Sequence, residues 1–282
     1  LGKLKMAQHK DPELAQWKDF LRRHKNPLDE VTIGLVGKYV ELPDAYKSIL
    51  ESFVHAGAAN ELRVRVERIH SEDLSSENVE RMLGHLDGIL VAPGFGERGI
   101  SGKITAVRYA REQQIPFMGI CLGMQIAVIE YARHVLGLEA ANSTEFDPDA
   151  EHPVISLMAS QKGVVQLGAT MRLGAYACGL KKGTQAYKLY GKAKIQERHR
   201  HRYEFNNAYR AQFEEEGGMV ISGVNPDLNL VEMIELKEHP FFVAGQFHPE
   251  LKSTVLAPHP LFVGLGAAAY EQTKRRKVAI EV

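Results

Sequence analysis

Ile115-Pro116-Phe117-Met118-Gly119-Ile120-Cys121-Leu122-Gly123-Met124-Gln125 places one cysteine between a short apolar run and the start of a helical pattern. Residues 116–120 read as a buried strand. Met124, Ile126, Val128 and Ile129 then mark the buried side of a helix. Gly119 and Gly123 bracket the cysteine two residues to either side, as a sharp strand-to-helix elbow requires, because such a turn leaves little room for Cβ atoms. Backbone N–H groups at a helix start favour a thiolate. A lone cysteine is most often a small buried hydrophobe, but the paired glycines favour a nucleophile at Cys121.

Around this elbow, apolar segments that read as strands (31–36, 62–69, 88–92) alternate with helical patterns (45–60, 78–86, 104–114). The expected fold is α/β: a doubly wound, mostly parallel sheet flanked by helices, with its ligand site at the carboxyl ends of the strands. An N-terminal linker helix is expected to open at Asp11-Pro12-Glu13 and to carry the stripe Leu14, Trp17, Phe20 and Leu21. The expected division is residues 1–28 as linker and helix, 29–275 as the main domain and 276–282 as a tail. A helical pattern over 265–272 closes the chain, its last carbonyls met by Lys274-Arg275-Arg276-Lys277.

A base for the thiol is expected in Gln246-Phe247-His248-Pro249-Glu250, which follows the apolar run Phe241-Phe242-Val243-Ala244. In an extended segment residues two apart share a side, so His248 and Glu250 can face one site while Pro249 fixes the backbone. Together they make a Cys–His–Glu set, in which the imidazole moves the proton and the carboxylate orients the ring.

Other motifs carry less. Gly94-Phe95-Gly96-Glu97-Arg98-Gly99 matches a dinucleotide fingerprint, yet Ile120 and Cys121 stand where that fingerprint needs an acid. The loop is better used as an oxyanion site, with the Gly94 and Leu122 N–H groups as donors. Gly34-Leu35-Val36-Gly37-Lys38-Tyr39 has the wrong glycine spacing for a phosphate loop. In Glu197-Arg198-His199-Arg200-His201-Arg202-Tyr203-Glu204 an extended backbone sends the arginines to one face and the histidines to the other. An arginine fork there suits a small carboxylate substrate, and a solvated face suits two of the three arginines.

The chain has 282 residues, 44% hydrophobic and 25% charged, with a formal net charge of zero; that balance argues against nucleic acid or a membrane surface as a partner. Cys121 and Cys178 are too few for a disulfide framework, which points to a reducing, cytoplasmic compartment. No apolar run approaches the roughly 20 residues of a membrane span. A start at Leu1 without methionine is expected of a piece cut from a longer chain.

Taken together, the Gly-Ile-Cys-Leu-Gly-Met-Gln elbow, the Phe-His-Pro-Glu segment and Pro93-Gly94-Phe95-Gly96 resemble a class I (triad) glutamine amidotransferase domain of flavodoxin-like fold. Ala141-Asn142-Ser143-Thr144-Glu145-Phe146-Asp147, Thr170-Met171-Arg172-Leu173-Gly174 and the 197–204 segment resemble, more narrowly, the glutaminase half of the CTP synthase family. The chain departs from many members in having one glycine ahead of Phe95 and leucine at 251. The resemblance implies Cys121, His248 and Glu250 as catalytic residues, with Gly94 and Leu122 at the oxyanion. It implies Leu122, Gly123, Met124 and Gln125 lining a glutamine pocket, Glu145 on the substrate's α-amino group and Arg202 on its α-carboxylate. It also implies a covalently linked synthetase domain using ATP, Mg and UTP, GTP as an allosteric activator, a homotetrameric whole protein, and a segment that is monomeric by itself and holds no metal or cofactor. Two other readings compete. One is a stand-alone hydrolase of γ-glutamyl amides or peptides, which would not need both Glu145 and Arg202; the other is a catalytically silent regulatory module, which an intact Cys–His–Glu set disfavours.

Overall fold

A computed structural model describes residues 3, 13–42, 44–157, 171–215 and 218–281. The apolar segments of the first half become the parallel part of a nine-stranded sheet. β1 (Asp29–Gly37) pairs in parallel with β2 (Leu62–His70) and with β3 (Gly88–Val91), β3 with β4 (Phe117–Ile120), and β4 with β12 (Phe242–Gly245). Strands β3, β4 and β12 are buried along their whole length, which is why they read as unbroken apolar runs rather than alternations. β2 lies at the sheet edge and alternates, showing Arg63 to solvent while Leu62 is buried.

Helices cover both faces, as crossovers between parallel strands require. α2 (Lys47–Ala59) and α8 (Pro260–Glu281) pack on one, where Phe53 meets Phe262 edge to face at 5.1 Å. On the other lie α4 (Ile100–Glu112) and α5 (Leu122–His134), whose Val107, Ile126 and Ile129 join Val91 and Phe117 in a second core cluster. The elbow cysteine thus sits where two buried layers meet.

Beyond β12 the sheet turns antiparallel, through β11 (Val231–Leu236), β10 (Met219–Val224), β7 (Arg172–Leu180) and β8 (Lys194–His201). A small separate sheet joins β5 (Ala141–Ser143), β6 (His152–Leu157) and β9 (Tyr203–Phe205). Short helices α3 (Val79–Leu83), α6 (Gln185–Tyr190) and α7 (Arg210–Glu215) fill the connections.

Three expectations change in detail. The opening helix α1 runs Ala15–Lys25 behind Leu14, which offers no side-chain cap; Asp11 and Pro12, the expected start, lie outside the described residues, as does Thr170. α5 begins at Leu122, two residues ahead of the apolar pattern, because the elbow winds directly into it. The last helix continues past Gln272, so its basic run lies inside it. Arg276 donates instead to the carbonyls of Gly84, His85 and Leu86, just beyond α3, and Lys277 to Asp29. The favourable contact with a helix C-terminus exists, but the helix is another one.

Candidate functional site

Cys121 adopts φ 53° and ψ −102°, a strained backbone for a residue with a Cβ. Its own N–H donates to Gly245 O (2.8 Å), tying the elbow to β12, while Met124 and Gln125 N–H return to Cys121 O at 3.0 and 3.2 Å and start α5 at once. Both bracketing glycines are sterically required. A Cβ at Gly119 would stand 2.8 Å from the Gly123 carbonyl group, and one at Gly123 would stand 2.3 Å from Val91 O. The sulfur therefore projects at the carboxyl ends of β3, β4 and β12, with the residue 5% exposed.

β12 ends at Gly245, so His248 lies three residues past a strand and not in the extended segment expected from the sequence. Its N–H donates to Arg198 O on β8 (2.8 Å). Pro249 then opens a 3-10 turn, Pro249–Leu251, and this turn, not an extended backbone, brings Glu250 Oε1 to 2.7 Å from His248 Nδ1. Pro at the first position of such a turn loses no hydrogen bond. Burial by itself would lower the His248 pKa; hydrogen bonding and charge at Cys121, then at Glu250, outweigh it and hold the imidazole above its usual value. With Nδ1 taken by Glu250, the buried Nε2 is the nitrogen left for the sulfur. The ring is oriented and poised beside the thiol.

A line of amides leads to the same sulfur. Gln246 Nε2 lies 3.7 Å from Cys121 Sγ, Gln125 Nε2 donates to Gln246 Oε1 (3.2 Å) and also to Tyr203 O (2.8 Å). Gln125 was expected at the pocket. Gln246 was not singled out, although it directly precedes Phe247-His248.

The loop after β3 passes over the elbow. Gly94 is half-buried, and the side chain of Leu122 comes within 3.4 Å of where its Cβ would be. As the first residue of α5, Leu122 has an N–H with no partner inside the helix. Glu145 Oε1 accepts from Gly96 N–H (2.7 Å), so the loop and the expected amino-group acid are one unit. Tyr203 feels both Glu145 and Arg202: burial raises its pKa, the carboxylate adds to the rise and the guanidinium opposes it. Both opposite charges therefore act on one tyrosine. Of the other arginines, Arg198 and Arg200 are exposed on β8, while Glu197, His199 and His201 alternate inward, as the pattern foretold.

Two lysines near the loop were not assigned from the sequence. Lys38 donates to the carbonyls of Phe95 and Gly96, and burial, with Arg98 adding, lowers its pKa. Lys103 on α4 is fully buried, with Nζ 3.1 Å from Ala92 O. The signal for Lys103 was its place on the apolar stripe of Ala106, Val107 and Ala110. Among the described residues no group of three or more His, Cys, Asp or Glu is disposed to hold a metal. A cleft of about 640 Å³ lined by Ile104, Arg108, Arg133, Asn142 and Phe146 lies on α4 and α5, and Cys121 is not among its walls.

The model of the family "Glutamine amidotransferase class-I" matches residues 41–267. The CTP synthase of Cytophaga hutchinsonii is 61% identical over 277 residues, 98% of this chain and 51% of that protein; that of Christiangramia forsetii is 60% identical over 279 residues, 99% and 51%. The chain thus spans about half the length of the curated relatives it matches. A solved Trypanosoma brucei CTPS glutaminase domain with bound acivicin superposes with a TM-score of 0.80 at 38% identity, covering 86% of this chain and 94% of that one. A strained cysteine elbow beside an oriented histidine, on a sheet shared with these proteins, leaves one assignment: the chain belongs to the class I glutamine amidotransferases, among the glutaminase domains of CTP synthases.

Proposed function

We propose that this chain hydrolyses L-glutamine through Cys121, His248 and Glu250 and supplies ammonia for the amination of UTP to CTP. The observation that carries the reading is the 2.7 Å His248–Glu250 contact beside a cysteine that raises the pKa of the imidazole. His248 accepts the thiol proton, and the sulfur attacks the side-chain amide carbon; the C–N bond then breaks as the imidazolium returns the proton to nitrogen. Ammonia leaves and a glutamyl thioester remains on Cys121. Water, deprotonated by the same histidine, cleaves that thioester to glutamate and restores the thiol.

The N–H groups of Gly94 and Leu122 suit the transient oxyanion. Leu122, Gly123, Met124 and Gln125 line the side-chain pocket, while Glu145 and Arg202 hold the two charged ends of the amino acid. A free zwitterion needs both, and a peptide substrate does not. ATP with Mg and UTP belong to a linked synthetase domain, with GTP as activator, and no step above passes through them. Enclosed transfer keeps ammonia from becoming ammonium, which is not a nucleophile. The test is labelling by 6-diazo-5-oxo-norleucine together with glutamate release, with and without a synthetase domain and nucleotides. Adduct on Cys121 and silence of Cys121→Ala are expected; adduct on Cys178, or none, removes the assignment.

A further inference from the structure

Lys103 is a buried cation that the chemistry above leaves unused. None of its surface reaches solvent, and the charged or titratable groups that act on it are Lys38 and Cys121, with no carboxylate among the described residues. Its Nζ donates to Ala92 O, one residue beyond β3, and stands 3.7 Å from where a Cβ on Gly94 would be. Leu122 Cδ2 is 3.4 Å from the same point. The ammonium is thus packed beside the place where the loop donor and the first residue of α5 converge.

Keeping an unpaired ammonium in such a place is unfavourable. Burial first, and the Lys38 charge second, push its pKa down to about 7, and Cys121 acts in the opposite direction. Negative charge at position 121, or on an oxygen bound beside it, is what makes the protonated form favourable. Both lysines come close to Gly94, but Lys103 bonds the strand exit at Ala92 while Lys38 is engaged by the carbonyls of Phe95 and Gly96.

We propose that Lys103 is a positioning residue for the nucleophile. Its ammonium holds the β3 exit at Ala92 so that the Gly94 N–H faces the oxyanion, and its charge, packed beside Gly94, favours the thiolate and the tetrahedral oxyanion that follows. The inference rests on Cys121 being the reacting group.

The experiment compares this chain with Lys103→Met and Lys103→Gln in the rate of Cys121 carbamidomethylation by iodoacetamide against pH, in glutamate release and in thermal unfolding. Both variants should show an alkylation profile displaced to higher pH, with a rate at neutral pH lower by about tenfold, since the thiolate is the nucleophile. Their kcat for glutamine should fall by a similar factor with KM within about twofold, the pattern of a lost transition-state interaction. Thermal stability should hold or rise, because a buried charge has gone. Lys103→Gln keeps a donor for Ala92 O and therefore also decides the matter if Lys103→Met folds poorly. A Lys103→Gln profile superposable on that of the unaltered chain would overturn the proposal. Failure of the glutaminase reading looks different: no glutamate from the unaltered chain with the alkylation profile still displaced, a result that supports the role of Lys103.

Discussion

Arg202 stands at the break between β8 and β9, where the extended alternation that exposes Arg198 and Arg200 ends. Arg202→Ala should raise KM for glutamine roughly 10- to 100-fold, since hydrogen bonds to a charged group contribute about 1.5–3 kcal/mol, and leave kcat and melting temperature nearly unchanged. Steady-state kinetics decide this, and an unaltered KM takes Arg202 out of the site. The residue types at the site were legible: a cysteine between glycines, then His-Pro-Glu. Their backbone was not, because Pro249 serves equally to end a strand or to open a 3-10 turn, and the turn is what sets the 2.7 Å contact. Lys103 escaped notice for a different reason. A lysine in a helix normally reports an exposed face, and the short apolar stripe it shares with Ala106, Val107 and Ala110 is a weak signal against that prior.

At the scale of elements, the close approach of α5 to β3 leaves the elbow very little tolerance. Gly123→Ala would put a Cβ 2.3 Å from the Val91 carbonyl oxygen, a backbone atom that cannot swing aside. The variant should lose about 3 kcal/mol or more, read as a large fall in melting temperature or in soluble yield. An unshifted melting curve would mean the elbow is looser than described. The parallel strands were readable because β3 and β4 are uninterrupted apolar runs. The antiparallel extension was not, and β11 shows why: Val231-Glu232-Met233-Ile234-Glu235-Leu236 is buried throughout, glutamates included. Glu232 is paired with Arg172 of β7 at 2.6 Å, and Glu235 accepts the Gln185 and Ala186 N–H groups at the start of α6. Carboxylates paired in this way belong to a core, yet in a bare sequence they read as solvent-facing positions. β7 is equally opaque, with Gly174, Ala175, Ala177 and Gly179 leaving little hydrophobic signal.

For the molecule as a whole, the buried cluster behind the site governs the response to acid. Burial, with Arg172 next, pushes the His201 pKa down to about 3, so the folded protein keeps the ring neutral, donating from Nδ1 to Tyr203 O at 3.1 Å. The unfolded chain protonates it below about pH 6.5. Unfolding therefore takes up a proton between those limits. The stabilisation is complete above pH 6.5 and lost as pH falls toward 3, at about 1.4 kcal/mol per unit. Glu204 and Glu232, raised by burial to about 7 and about 6, act with the opposite sign over part of that range, so a difference measurement is needed. Denaturant titrations from pH 6.5 to 4.5 should show His201→Asn losing less stability with acid than the unaltered chain; parallel curves would refute it. Finally, Cys121 and His248 hang from β4 and the extension of β12, neighbours in register that are also joined by the Cys121 N–H to Gly245 carbonyl bond. Because the proposed reacting pair is anchored to one stretch of sheet, the two side chains cannot be drawn apart without tearing the centre of the fold. Among the described residues the covering loop of residues 93–99 has no such anchor in the sheet, and the Glu145 carboxylate that clasps Gly96 is what sets its height above the sulfur.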